Sequence, residues 1–364
     1  MGRVRAFSEE DIPQVADIHR RGFQLAGEAS PELSGAYRHW LTQVFLSNPW
    51  RDESLASLVY ESEPGKVKGF LGITLQRMQW NGRPVKTAIM SNFVVDADSR
   101  GLAGISLLRA LFAGPQDLTI TDEANGDVRR IWQSLGGATS FPDSMHWYYP
   151  LRPCQFAALG ARKKSLTPGF LSRMSFPAAR ALDAVVTWVA DFSLPKPDPR
   201  LSPRGLDPQT LAACLWESTQ DQTLRPDYDP PRLDWILQRA AHMQTNGSLR
   251  QIVVMSEDQN VAGWYLYYAN PGGIGQVIQF RAKPQLTGAV LDHLLNDAWQ
   301  RGVVVLSGRP ERNLTQILSE RHCIFACGPD WTLIHSRTPE IVDAFHRGDA
   351  FFSRLEGEWY THFR

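Results

Sequence analysis

The same order of strands and helices runs twice along this chain, once on each side of a proline cluster, and that duplication constrains the fold more than any single motif. The cluster is "LPKPDPRLSPRGLDP", with Pro195, Pro197, Pro199, Pro203 and Pro208. Proline lacks a backbone donor and blocks both helix interiors and central strands, so the segment reads as a linker. Before it, a strand over Val4 to Phe7 leads to Ser8, a helix N-cap with Asp11 three residues on, and to the amphipathic helix "IPQVADIHRRGF". Next come the strands "SLASLVYES", "VKGFLGITLQRM" and "KTAIMSNFVV", a helix over 102–112, the strand "DLTIT", the helix "GDVRRIWQSL" and the strand "MHWYYPL". After it, a helix opens at Pro208, followed by "RQIVVMS", "VAGWYLYYA", "GQVIQF", the helix "GAVLDHLLNDAWQRG", "VVVLSG", the helix "NLTQILSERH" and "DWTLIHS". Gly69 before one long strand corresponds to Gly263 before the other, and Asn125 before one helix to Asn313. The expectation is an α/β (α+β) chain of two tandem domains, each a mixed central sheet flanked by helices. The boundaries are 1–150, a helical and proline-rich linker over 151–204, and a second domain with a C-terminal tail over 205–364.

The length, 364 residues, suits two domains, and the charge pattern narrows the partners. Lysine plus arginine and aspartate plus glutamate are 38 each, which removes the broad basic surface of a nucleic-acid binder. Cys323 and Cys327 lie four apart, but no second Cys/His pair with ligand spacing completes a zinc site, and no metal is expected. Cys154 and Cys214 complete a sparse set that reads as reduced thiols, and "MGRVRAFSEEDI" carries no apolar stretch of a secretory signal, so the expectation is a cytoplasmic protein. In "LSRMSFPAARALDAVVTWVADFSL", residues 171–194, charges interrupt every apolar run before the ~20 residues a span needs. Leu182, Val185, Val186 and Val189 make one apolar stripe, so this segment is expected as a helix packed on a domain.

The stretch "VVDADSRGLAGISLLRAL", residues 94–111, closes a strand, turns through small residues and opens a helix. Such a turn is either plain loop chemistry or a place where free helix N–H groups meet an anion, usually a phosphate. With Val95 ending the strand, Arg100-Gly101 following, and Asn125, Val128, Ile131, Trp132 and Gly136-Gly137 spaced along the next helix, residues 1–150 resemble the GNAT superfamily of acyl-CoA-dependent N-acyltransferases. Residues 205–340 match that family by element order only, and the layout resembles its tandem members. The resemblance implies tandem GNAT-like domains, acyl-CoA (acetyl-CoA or a longer homologue) as co-substrate, and transfer to an amine on a small molecule or peptide. It implies a cofactor surface made of Val94, Val95, Arg100, Gly101, Leu102, Ala103, Gly104, Ile105, Ser106, Asn125 and Trp132, with backbone amides from about Leu102 to Ser106 facing the pyrophosphate. The pantetheine would pair with "SNFVV", the thioester would lie near Thr121, Asp122 and Asn125, and an N–H near Phe93 or Val94 would serve the oxyanion.

Two departures stand out. Counting from Arg100, Ala103 and Ile105 occupy the family's glycine positions, and sliding the count by two puts Asp98 in the basic position. Trp132 stands where many members carry a proton-donating tyrosine, and an indole has no proton to give. Asp122 and His146 are the candidates for the base, each with a structural alternative: a helix N-terminal carboxylate and a satisfied strand histidine. In the second half Pro284 and Gln285 replace the small residues, so that half is expected not to bind CoA. Its Trp264, Tyr265, Tyr267 and Gln279 are candidates for an acceptor cleft, against plain sheet packing, and the aromatic tail "SRLEGEWYTHFR" is expected to dock on the body. The alternatives are a non-catalytic tandem scaffold and aminoacyl transfer from tRNA to a cell-wall precursor, the latter disfavoured by the neutral charge. A homodimer is compatible with the sequence.

Overall fold

The computed structural model describes residues 2–23, 31–163, 179, 182, 183, 195–321 and 323–363. Most of the 171–194 segment therefore lies outside the described residues, as does the side chain of Arg100. The chain divides into two compact units, the first made of Met1–Ser144, Leu211–Leu237 and Cys327–Arg364 and the second of Met145–Thr210 and Gln238–Ala326. This interleaved division differs from the consecutive boundaries expected from the sequence.

The first unit is built on an eight-stranded sheet. Along the chain its strands are β1 (Arg3–Ala6), β2 (Leu58–Glu63), β3 (Lys66–Trp80), β4 (Arg83–Val95), β5 (Leu118–Ala124), β6 (Ala138–Ser140), β9 (Leu224–Pro226) and β15 (Trp331–Ser336). Their order is β1-β2-β3-β4-β5-β15-β6, with β9 added on β3. Helices α1 (Ile12–Gly22) and α2 (Pro31–Leu41) follow β1, α3 (Arg100–Phe112) follows β4, and α4 (Gly126–Ser134) follows β5. Both faces of the sheet are covered. Ile12, Val15 and Ile18 of α1, with Tyr37, Trp40 and Leu41 of α2, pack with Val59, Phe70 and Val94. Ala103, Leu107, Leu108 and Leu111 of α3, with Trp132 of α4, pack with Leu71, Ile73, Ala88 and Leu333. The Asp11 carboxylate accepts from Ser8 N at 2.9 Å, so the expected cap forms, around a short 3-10 turn over Glu9–Asp11 that precedes α1.

The second unit holds a seven-stranded sheet ordered β14-β7-β13-β12-β11-β10-β8, with β7 Met145–Pro150, β8 Leu201–Gly205, β10 Ser248–Ser256, β11 Val261–Ala269, β12 Ile274–Ala282, β13 Val305–Gly308 and β14 Ile324–Cys327. The two terminal strands of the repeat are exchanged. "MHWYYP", expected to close the first half, is β7 and pairs antiparallel with β13, Trp147 facing Gly308. "WTLIHS" from the second half is β15 and enters the first sheet between β5 and β6, Leu333 facing Thr121. Local pattern cannot reveal this, because an alternating strand fits either sheet equally well. Gly308 admits the exchanged strand: a Cβ there would stand 2.8 Å from Trp147 Cζ2. Trp147 is fully buried and donates from Nε1 to Arg309 O at 3.0 Å.

Candidate functional site

The first unit's sheet opens between β4 and β5. β4 and β5 run parallel and pair at Thr87 with Leu118, Ala88 with Thr119, and Ile89 with Ile120. Beyond Ile89 and Ile120 they no longer pair, while β5 continues along β15 on its other side. In the opening, β4 carries a bulge. Phe70 faces Val94 and Gly72 faces Ser91, so Asn92 and Phe93 together stand opposite Leu71. Asn92 has φ +50°, a left-handed conformation that asparagine tolerates better than most residues. A cavity of about 390 Å³ occupies the gap, walled by Ser91, Asn92 and Phe93 of β4 and Thr121 and Glu123 of β5. His19 of α1 and Asn125 at the head of α4 also line it.

The tail docks on this unit, as its aromatic composition suggested, and forms a further wall of the cavity. Trp40 Nε1 donates to Thr361 O at 2.8 Å, Asn92 Nδ2 donates to the same oxygen at 3.3 Å, and Phe363 stacks on Tyr37 with ring centroids 4.0 Å apart. Glu358, His362 and Phe363 line the cavity. Glu358 Oε1 accepts from Thr121 Oγ1 at 2.7 Å and from the backbone N–H groups of Asp122 and Glu123 at 3.0 and 2.9 Å. Burial first, then the negative charges of Asp122 and Glu123, push the Glu358 carboxyl up to about 8. Glu123 in turn pairs with Arg354, and His362 Nε2 lies 3.5 Å from its other oxygen. Across the cavity His19 sits between Tyr37 Oη and Asn92 Oδ1, each at 3.2 Å, and burial lowers its pKa to about 4, so it is neutral at physiological pH.

The residues singled out from sequence separate by place. Asp122 stands at the opening, but its Oδ1 accepts from Glu358 N at 2.8 Å and the residue does not line the cavity; it holds the tail. His146 lies on β7 in the second unit's sheet and is not among the residues that line this cavity. Asn125 caps α4, its Oδ1 accepting from Asp127 N and Val128 N at 3.0 Å, and also lines the cavity. Trp132 is wholly buried, donates to Ile334 O at 3.0 Å and packs edge-on against Phe112, so it is a core residue and does not line this cavity. Trp264, Tyr265, Tyr267 and Gln279 are at most 4% exposed. Trp264 donates to Gln279 at 2.9 Å and Tyr267 to Asp297 at 2.6 Å, so these side chains are held in the second unit's interior, whereas Tyr265 lines a second cavity of about 380 Å³ in that unit, beside Arg250 and Asp297.

Helix α3 begins at Arg100 with no side-chain cap from Ser99. Gly101 and Leu102 are exposed in the first turn, where helix amides lack intrahelical acceptors. From Ala103 onward the amides enter the helical ladder, so Ile105 and Ser106 have none free, and the stretch of free amides is shorter than the sequence suggested. Ala103 is buried and Gly104 lies under the Phe93 ring, where a Cβ would be 3.4 Å from Cζ. Val94 is buried in the α1–α2 core, and Val95 packs toward α3. The connection into α3 is pinned at Asp96, whose carboxylate takes Lys68 Nζ at 2.8 Å and Arg21 at 3.3 Å.

Sequence reasoning missed Glu358, His19 and His362. Glu358 is separated from Thr121 by 237 positions, and no local spacing connects them. Among the described residues no group of three or more His, Cys, Asp or Glu side chains is placed to hold a metal ion, and no helix is long and apolar enough to cross a membrane.

No protein-family model matches this chain, and no curated protein matches it by sequence. Solved structures do. A GCN5-related N-acetyltransferase from Anabaena variabilis superposes with TM-score 0.58 at 14% identity, covering 92% of this chain and 72% of that one. Another from Kribbella flavida gives TM-score 0.54 at 13% identity, with coverage of 92% and 70%. The N-myristoyltransferase of Saccharomyces cerevisiae, with bound myristoyl-CoA, gives TM-score 0.52 at 10% identity, with coverage of 92% and 78%. The parted parallel strands, the bulge and the helix that follows them thus stand in a chain with the fold of the GCN5-related N-acetyltransferases.

Proposed function

We propose that this protein is an N-acyltransferase that moves an acyl group directly from an acyl-CoA to an amine. The observation that carries the reading is the gap in the first unit's sheet, where β4 leaves β5 beyond Ile89 and Ile120 and leads within a few residues to the uncapped start of α3. A pantetheine arm is a short run of amides and pairs with an unpartnered strand edge as a peptide does; Ser91 to Val95 offers that edge. The diphosphate then reaches the first turn of α3 at Gly101 and Leu102, where free N–H groups and a macrodipole of roughly +0.5 charge favour an anion.

With the thioester in the gap, the N–H groups of the bulge at Phe93 and Val94 are the donors for the tetrahedral oxyanion. The amine enters the cavity walled by Thr121, Asn125 and the tail. Its nitrogen lone pair attacks the carbonyl carbon, the C–N bond forms as the nitrogen gives up one N–H proton to a base, and the thiolate leaves with the C–S electron pair. Trp132 gives the thiolate no proton, since its N–H is spent on Ile334 O; the proton comes from water at the open side.

Calorimetric titration of acetyl-CoA, hexanoyl-CoA and myristoyl-CoA into the full chain tests the reading. Saturable binding of at least one, at one site per chain, is expected, and no binding of any would overturn it. A non-catalytic scaffold that still binds CoA is the second reading, supported by the occupied indole of Trp132. Release of CoA thiol in the presence of a primary amine rules it out.

A further inference from the structure

We propose that the C-terminal tail supplies the proton acceptor of the transfer, and that this group is the Glu358 carboxylate acting through Oε2. The assignment rests on the acyl-transfer reading above. Glu358 is 5% exposed and lines the cavity, yet its two oxygens are used differently. Oε1 collects three donors, Thr121 Oγ1 and the amides of Asp122 and Glu123, all from the end of β5 at the gap. Oε2 takes no hydrogen bond among the described residues, so one carboxylate oxygen of a buried residue is left for whatever enters the cavity. Three donors on one oxygen hold the carboxylate rigidly, and preorganisation is what a proton acceptor at a reacting centre needs.

The other titratable groups around the cavity are less suited. Glu123 of β5 is paired with Arg354 and His362. Asp122 is turned to the tail backbone, and a Cβ at Gly357 would stand 2.2 Å from its Oδ2. His19 of α1 is held at both ring nitrogens by Tyr37 and Asn92, and its basicity is reduced to about pKa 4, too weak to take a proton from an attacking amine. Burial and the Asp122 and Glu123 charges move the Glu358 carboxyl in the opposite direction, to about 8, near the pH at which a base works best.

The step balances. As the amine nitrogen bonds to the carbonyl carbon, its N–H proton passes to Glu358 Oε2. When the C–S bond breaks, the thiolate takes a proton from water, and Glu358 returns its own to solvent. The tail therefore carries a part of the chemistry, as well as covering the cavity.

Glu358→Gln is the discriminating variant, because a glutamine Oε1 still accepts from Thr121 and from both amides. The assay is thiol release from acetyl-CoA between pH 6 and 10, with a panel of primary amines and with water alone as acceptor, beside calorimetric titration of acetyl-CoA. The expected result is acetyl-CoA affinity within about twofold of wild type, kcat lowered by about 100-fold or more, and loss of the rise in kcat through about pH 8. Glu358→Asp, one methylene short, should recover part of kcat and the pH dependence. A Gln variant within threefold of wild type in kcat, or with an unchanged pH profile, overturns the assignment. Wild type that fails to bind acetyl-CoA, or binds it and releases no thiol above the uncatalysed rate, overturns the acyl-transfer reading instead. Carboxyl NMR of the protein labelled at glutamate Cδ gives an activity-independent check: a resonance titrating near pH 8 and missing from Glu358→Gln supports the assignment, and one titrating below about 5.5 overturns it.

Discussion

Replacing Gly101 by glutamate should make this protein more stable and a poorer binder of acyl-CoA. The position allows both effects to be worked out. Gly101 is exposed in the first turn of α3, and a Cβ there meets nothing within 4 Å, so a side chain is accommodated without rearrangement. Removing glycine from a helix stabilises by up to about 1 kcal/mol, and a carboxylate in the first turn adds about 0.3–1 kcal/mol through the macrodipole. Together these reach about 2 kcal/mol, which corresponds to a Tm increase of up to about 4–8 °C in a unit of this size. Against a diphosphate at about 6 Å, each pair of unit charges repels by roughly 0.7 kcal/mol at the dielectric of water and roughly 2.8 kcal/mol at an effective dielectric of 20. The anion also loses access to the Gly101 and Leu102 amides. Affinity for acetyl-CoA should fall by about 10- to 100-fold, and less steeply as salt is raised. The assay pairs calorimetric titration at two ionic strengths with thermal unfolding. A raised Tm with affinity unchanged within twofold would refute the placement of the diphosphate on α3, and a lowered Tm would refute the local reading of the helix start.

Trp132→Phe should cost about 1–3 kcal/mol in urea unfolding, by leaving the buried Ile334 carbonyl without its donor, while acetyl-CoA affinity of the folded variant stays within twofold. A large affinity loss would instead put the indole at the cofactor. Gly308→Ala should destabilise by about 1–3 kcal/mol, because its Cβ would stand 2.8 Å from Trp147 Cζ2 and 3.0 Å from Val277 Cβ, and neither is the loose end of a flexible chain. Wild-type stability in that variant would show that the exchanged strand has slack. His19 refuses a proton in the folded protein until about pH 4, whereas the unfolded chain takes it near 6.5. Its contribution is therefore fully present above pH 6.5 and declines as pH falls toward 4, by about 2 kcal/mol between pH 7 and 5. Chemical unfolding at those two pH values should show that loss in wild type and a smaller one in His19→Gln; equal losses would remove His19 as the cause.

Much of the fold is legible in the residues. Ser8 and Asp11 announce the entry to α1, the apolar spacing of Ile12, Val15 and Ile18 gives its buried face, and the small residues after Val95 mark the strand–turn–helix at α3. These are local effects, set by caps, periodicity and turn chemistry within a few residues, so a sequence states them directly. The repeat is legible for the same reason: element order is a sum of local signals.

Which strand completes which sheet is a different kind of question. β7 and β15 carry alternating patterns that fit either sheet, and only the packing of Trp147 over Gly308 and of Leu333 beside Thr121 decides between them. That exchange brings the end of the chain to the gap, and so Glu358, His362 and Phe363 reach the cavity. From sequence, Asp122 stands in the right place, at the end of β5. That its carboxylate holds the tail, while Glu358 from 236 positions away faces the cavity, depends on hydrogen bonds formed only after the long-range contacts exist. The aromatic residues of β11 carry the same lesson: sequence gives their alternation, but which face meets water depends on what packs over each side, and here both sides are buried. The sequence by itself determined α1, α3, α4, most of the strands and the small-residue turn, because each depends on neighbours along the chain, but not α2 or β8, the latter lying in the segment read as a linker. The tertiary structure decided the strand exchange, the parting of β4 from β5 and the carboxylate at that gap, because each depends on groups far apart in sequence that only the finished core holds together.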